Sequence, residues 1–390
     1  MSSVNPQVAR FERYVEMDPG NATLWVGYGD ALHGAGLFDR AEQAFRRSLE
    51  IESGNPIATA RLAMLDISRH RFAAAEETLR KLIESGERHP AIVFNLGLSL
   101  YYAQRFAEAV EVFEQLVHVP GMDDARYYLV SCLHNLTKMD EAIGRAEAFL
   151  AERESCKLRG YLALLLVDHS RMSDALLHAR RVLEEQPENP DAASVMSTHA
   201  LETQQMEEAQ HYLGVVTRRE PRNVRALQGL ALVALEASRH SEAIEYLERA
   251  KELDPANTGT FITLGWAHLT RHDYGRSERV FREGLNVDRN DAELHGGLAC
   301  ALLFQTRIDE AKQEIARAQG LDKACFGATF AQSVLLKMDG RDKLAARLLS
   351  EMLQKSTRPD GPTLLDGLVR FWRQRTPPAP ERSDTGGGPP

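Results

Sequence analysis

The chain has 390 residues, 43% of them hydrophobic and 26% charged, with a formal net charge of −9. That balance suits a continuous apolar core beneath an ordinary soluble surface, and it leaves no general basic field of the kind that binds nucleic acid through phosphates. Four scattered cysteines, Cys132, Cys156, Cys300 and Cys325, form no CxxC pair, which argues against a disulfide scaffold or zinc ribbon and suits a reducing compartment.

The amino terminus, MSSVNPQVARFERYVEMDPGN, shows no basic start followed by an apolar run, so no signal peptide is expected. No uninterrupted apolar stretch approaches the roughly 18 residues that a membrane span needs; LALLLV, Leu162 to Val167, is among the longest runs. A cytoplasmic protein without a membrane span is the expectation. Within residues 5–17, Phe11, Tyr14 and Val15 share one face, which predicts a helix closing off residues 1–21 as an incomplete repeat that covers the first full unit.

Residues 24–45, LWVGYGDALHGAGLFDRAEQAF, set the pattern for the rest of the chain. Leu24, Trp25, Tyr28, Gly29 and Leu32 fall at helical spacing, Gly34 and Gly36 interrupt, and Ala41, Phe45 and Leu49 resume on one face. Two short helices with a tight turn between them are predicted, neither long enough to be stable without neighbours.

The small residue at Ala41 recurs as Ala75, Ala109, Ala142, Ala175, Ala209, Ala243, Ser277, Ala311 and Ala345, at intervals of 34 residues with two of 33. A small side chain at this column lets the second helix lie close against the first. Three residues before it stand Phe38, Phe72, Phe106 and Tyr274, with Met139, Met172, Met206 and Ile308 as substitutes, while His240 and Asp342 depart from the column. Four residues after it stand Phe45, Leu79, Phe113, Leu213, Leu247, Phe281, Ile315 and Leu349, but Ala146 and Ala179 in the middle units. The first helices carry Gly29, Ala63, Gly97, Ala163, Ser197, Ala231, Gly265, Ala299 and Ser333 at their contact column, with Val130 as the exception. Helix-ending prolines appear as Pro187, Pro221 and Pro255.

A 34-residue period of two helices, with several columns in one register over residues 22–355, resembles the tetratricopeptide repeat family. The resemblance implies an all-α, right-handed superhelical solenoid of about ten helix-turn-helix units with amino- and carboxy-terminal capping helices. Units begin near Ala22, Pro56, Pro90, Asp123, Cys156, Pro190, Val224, Thr258, Ala292 and Phe326. The one-residue deletions around units four and five predict a local change of curvature. In residues 356–375, Leu364, Leu365, Leu368, Phe371 and Trp372 form one apolar face, as a capping helix requires, although a partner-binding helix would show the same pattern. Residues 376–390, TPPAPERSDTGGGPP, have too few apolar side chains to fold and are expected to be a disordered tail.

Catalytic and cofactor motifs are missing from the sequence: no HExxH, GxSxG, GxxxxGK[ST] or strand-preceded GxGxxG occurs. His268 and His272 are spaced to offer two imidazoles to a metal, but no third ligand is marked and a structural role is the reading. No cofactor and no enzymatic activity are expected.

What remains is the groove that first helices line in this family, where ligand peptides usually lie. Its columns here give Phe94, Leu98, Tyr101, Tyr102, Tyr127, His134 and Leu164, then Ile262, Trp266, Leu269 and Phe304, as candidate partner-binding residues. The aromatics among them would face solvent in an empty groove, and exposed apolar patches mark partner sites. Co-chaperone members of the family clamp a terminal carboxylate with Lys, Asn and Arg; Val26, Asp30, Ala60 and Arg61 stand at those columns here, so that mode is not expected. The resulting expectation is a non-enzymatic scaffold, an adaptor, assembly factor or secretion-type chaperone, that binds an apolar peptide or helical segment of a protein partner. The alternative is a regulatory or substrate-recruiting subunit whose catalytic chain is separate.

Overall fold

The starts of the helices follow directly from the sequence columns. The computed structural model describes residues 5–355, so the segment 356–375 and the tail 376–390 lie outside the described residues. Among the described residues there are 21 α-helices and no strand. After α1 (Pro6–Met17), units one to three pair α2 (Ala22–Gly34) with α3 (Phe38–Ile51), α4 (Pro56–Ser68) with α5 (Phe72–Glu84), and α6 (Pro90–Tyr102) with α7 (Phe106–Glu114). Units four to six are α8 (Asp123–Asn135) and α9 (Met139–Glu152), α10 (Cys156–Asp168) and α11 (Met172–Glu185), α12 (Pro190–Glu202) and α13 (Met206–Arg219). The last four are α14 (Val224–Glu236) and α15 (His240–Leu253), α16 (Thr258–Thr270) and α17 (Tyr274–Val287), α18 (Ala292–Phe304) and α19 (Ile308–Leu321), α20 (Phe326–Met338) and α21 (Asp342–Lys355). All ten unit starts expected from the period are first residues of helices, and the residue three before each small marker opens the second helix.

Local chemistry explains both boundaries. Most first helices are capped by a side chain that accepts a backbone N–H of the first turn: Asn21, Asn55, His89, Ser155, Asn189, Asn223, Asn257 and Asp291. Each such cap stabilises its helix by about 1 kcal/mol. Between the paired helices the chain turns through one residue in the left-handed region, Gly36 and Gly340 at the ends, but His70, Gln104, Thr137, Ser170, Gln204, Ser238, His272 and Thr306 between them. A β-branched residue there is strained. Thr306→Gly, at φ 63°, is expected to raise stability by about 0.5–1 kcal/mol once glycine's extra unfolded-state freedom is subtracted. A lowered urea midpoint would instead show that the Thr306 hydroxyl, which donates to the Gln305 carbonyl at 2.6 Å, holds the turn.

The described chain divides into two compact bodies, one up to His169 and one from Ser170. In the first, α1 lies on α2 with Phe11 over Gly27, where a Cβ would sit 2.5 Å from the ring, and Val8 and Val15 join the same core as Leu32 and Phe45. Within a unit, packing is set by size pairing between two columns. Phe45 and Phe113 are fully buried, and a Cβ on the facing Gly29 or Gly97 would approach their rings to 2.3 and 2.6 Å. In unit four the sizes are reversed, Val130 on α8 and Ala146 on α9, both at 0% exposure. The two deletions fall outside the first helices: α7 stops after nine residues, and only Arg153, Glu154 and Ser155 separate α9 from α10.

In the second body the same rule places Phe281 opposite Gly265, with Gly297 of the next unit also against its ring. The approach of α18 to α20 is closer still. A Cβ on Gly296 would lie 2.5 Å from the backbone nitrogen of Ala328, and one on Gly327 would lie 2.9 Å from the Gly296 carbonyl carbon, so backbone meets backbone. Glu293 of α18 completes the contact by accepting the N–H groups of Phe326 and Gly327 at 2.7 and 2.9 Å, a carboxylate set at the positive end of α20.

Candidate functional site

The first helices of the first body present a continuous face of candidate contacts. Phe94, Leu98, Tyr101 and Tyr102 on α6 are all half-buried, one side packed and the other open. Their packed sides are tightly held. Tyr101 lies 5.2 Å from the Tyr128 ring and 5.3 Å from Tyr102, and Tyr102 stacks on Phe72 at 5.8 Å. Phe94 packs edge-on to Phe113 and Tyr128, which themselves stack at 5.5 Å.

A polar chain crosses the same face over three consecutive first helices. The Tyr101 hydroxyl of α6 shares a hydrogen bond with Ser131 of α8 at 2.9 Å, and the Tyr161 hydroxyl of α10 donates to the same serine at 3.3 Å. His134 Nδ1 meets the Tyr161 hydroxyl at 2.9 Å, and its Nε2 lies 3.8 Å from Asp168. Tyr127 is buried against Tyr161, at 5.1 Å between rings, and Lys157 Nζ sits 4.5 Å over Tyr127 while pairing with Asp124. Leu164 is half-buried on α10. Toward the amino terminus, Arg61 and Asp30 approach to 2.8 Å without the alignment of a hydrogen bond. Burial pushes the Asp30 carboxyl above its usual range although Arg61 opposes it, and burial lowers the His33 imidazole against the pull of Asp30. The one cation at the clamp columns is therefore already engaged by a neighbouring carboxylate.

The second group of sequence candidates is placed differently. Ile262, Trp266 and Leu269 are not solvent-facing but buried, at 1%, 5% and 8% exposure. The physical reason lies in Gly296 and Gly327: with α18 and α20 in backbone contact, Trp266 of α16 reaches Phe326 and Phe330 of α20, at 5.9 and 5.8 Å, and the aromatic face closes on itself. Phe304 alone of this group is exposed, stacked on Tyr274 at 5.1 Å. His268 is buried and its imidazole is held below its usual range by that burial, while His272 Nδ1 meets the Tyr274 hydroxyl at 2.8 Å. Burial also pushes the Cys132 thiol up to about 12 and the Cys300 and Cys325 thiols well above their ordinary range, so none is a ready nucleophile.

Family models described as tetratricopeptide repeat match this chain, one over residues 6–56, 94–155 and 194–258, the other over residues 32–93 and 234–299. Together they span well over half of the sequence. The chain belongs to the tetratricopeptide repeat family. Among solved structures, yeast Tom70 matches at 13% identity and a TM-score of 0.39, over 94% of this chain and 91% of that one. MamA of AMB-1 matches at 19% identity and a TM-score of 0.39, over 43% of this chain and 99% of that one. No curated protein matches.

For this tetratricopeptide repeat protein the structure adds three residues that sequence columns alone did not mark. Tyr128, buried at the centre of the α6–α8 aromatic group, was signalled only by its doublet with Tyr127. Ile57, at 59% exposure, shares the helical face of Ala60 and Met64. Lys157 is recognisable only from its position over the Tyr127 ring. No described helix of the repeat array is long and apolar enough to cross a membrane.

Proposed function

We propose that this repeat protein is a non-enzymatic scaffold that seats an apolar peptide or helical segment of a partner protein on the first-helix face of its first body. The observation that carries the reading is the half-buried group Phe94, Leu98, Tyr101 and Tyr102, whose rings are fixed on one side by aromatic packing and the Ser131 hydrogen bond. Aromatics immobilised in advance lose little side-chain entropy on binding, which makes them effective anchors. The surrounding charges, Asp30 with Arg61 and Asp124 with Lys157, are internally paired, so the surface favours an uncharged apolar occupant over an acidic or basic one. Adaptor, assembly-factor and secretion-chaperone roles all use such a surface.

The test is affinity capture from the protein's own cell extract with the intact chain and with a Tyr101→Ala/Tyr102→Ala variant, the bound proteins being identified by mass spectrometry. Loss of the main partner by at least about tenfold, equivalent to roughly 1.4 kcal/mol, is the expected result while the melting curve stays cooperative. Undiminished capture would remove these tyrosines from the contact surface. Trp266→Ala serves as the contrast, because truncating a buried tryptophan costs about 3–5 kcal/mol of stability and acts on folding before it acts on binding.

A further inference from the structure

The start of α18 holds a histidine between two acceptors. His295, the fourth residue of α18, is 7% exposed; the Arg289 carbonyl oxygen lies 3.0 Å from its Nε2, and Glu314 Oε2 of α19 faces its Nδ1. A carbonyl and an ionised carboxylate only accept, so both ring nitrogens donate and the imidazole is an imidazolium. The Nε2 donation belongs to the column: Trp25, fourth in α2, likewise donates its indole N–H to a carbonyl six residues back, that of Pro19, at 3.0 Å. Glu314 is held ionised by Arg317, which pairs with its other oxygen at 2.7 Å. Both members of the pair are peculiar to this unit. No other first helix of the ten units has a histidine at its fourth residue, and no other second helix has a carboxylate at its seventh.

We propose that the His295–Glu314 pair is a proton-dependent latch, which closes the α17–α18 loop and α19 onto the start of α18 and releases them at alkaline pH, independently of the partner-binding reading. Glu314 holds the imidazole above its ordinary value against burial and Arg317. Burial opposes the Glu314 charge, but the His295 hydrogen bond, Arg317 and Arg282 of α17 keep its carboxyl below the usual range. The other ionisable groups around α18 have partners of their own: Glu293 accepts from Phe326 and Gly327, the Cys325 thiol donates to the Ala292 carbonyl, and His268 of α16 answers to Asp273 and Arg276. A histidine raised on folding contributes stability that is complete below its unfolded value and is lost as pH rises through the folded one. A carboxylate lowered on folding contributes above its unfolded value, so the latch is strongest between the two. Once the imidazole loses its proton, a bare ring nitrogen and a carboxylate oxygen, both acceptors, are left facing each other at a site where the Glu314 side chain is only 12% exposed.

The experiment is amide hydrogen exchange of the full chain, read by mass spectrometry from about pH 6 to about pH 9 and corrected for the intrinsic pH dependence of exchange, for unaltered protein, His295→Gln and Glu314→Gln. The expected result in the unaltered protein is that protection of α18 and α19 falls about tenfold across this range while that of α14 holds steady. His295→Gln abolishes the fall, and Glu314→Gln moves its midpoint to lower pH, because the carboxylate no longer holds the proton. Steady protection in the unaltered protein, or a fall that α14 shares equally, overturns the proposal. So does an unchanged fall in His295→Gln, which would assign it to Glu293, a carboxyl that burial raises and whose titration has the same sign. Should His295→Gln fail to fold, a midpoint that Glu314→Gln leaves in place overturns the latch on its own.

Discussion

Gly296→Ala is expected to cost about 3 kcal/mol, at the upper end of what overpacking usually does. The new methyl group would fall 2.5 Å from the Ala328 nitrogen and 2.6 Å from the Gly327 carbonyl carbon. Backbone atoms inside a helix cannot step aside as a side-chain end can, so α18 and α20 must separate. Separation weakens the hydrogen bonds from Phe326 and Gly327 to Glu293 and opens the Trp266–Phe330 contact. Gly144→Ala is the matched control: it lies within α9 with nothing within 4 Å of its would-be Cβ, and it is expected to stabilise by up to about 1 kcal/mol through helix propensity. The same chemical change thus acts with opposite sign at two glycines, and urea denaturation of both variants reads it. Equal effects would show that the α18–α20 contact is not tight.

The second large effect is a coupling. Phe113→Ala is expected to cost about 3–5 kcal/mol, because the ring is fully buried. Gly97→Ala alone is expected to cost about 1–3 kcal/mol, since its methyl would meet the Phe113 ring at 2.6 Å. Combining Gly97→Ala with Phe113→Leu should cost clearly less than the two separate changes together, because the smaller side chain vacates the space that the methyl needs. Neighbouring side chains that share a volume are non-additive in this way, and the natural pairs already sample the exchange, Ala63 with Leu79 and Ala231 with Leu247. Strict additivity in a double-mutant cycle would refute the size-pairing rule.

That rule also explains which parts of the fold were legible in the sequence. The period located the ten unit starts from Ala22 to Phe326, because turns and small contact residues repeat in one register. Val130, Ala146 and Ala179 looked like irregularities when each column was read alone. Val130 and Ala146 become regular once the columns are read as a pair, large against small. The partner face was less legible. Column position makes Leu98 and Trp266 equivalent residues of their units, yet one is half-buried and the other is core. The difference arises in the two units that follow Trp266, in the glycines that draw α20 toward α18, and no column of the first helices reports a neighbour's approach. Ser131 reads as a small polar residue until the structure shows two tyrosine hydroxyls from different helices meeting on it.

The most direct measurement of the partner surface is site-specific photo-crosslinking in the native cell extract. A photoreactive residue replaces half-buried Leu98 on the α6 face in one protein and exposed Glu111 on α7 in another. The account predicts a discrete adduct with a partner protein from position 98, suppressed by Tyr101→Ala/Tyr102→Ala, and none from position 111. Adducts from position 111 with none from position 98 would contradict it and move the binding surface to the second helices.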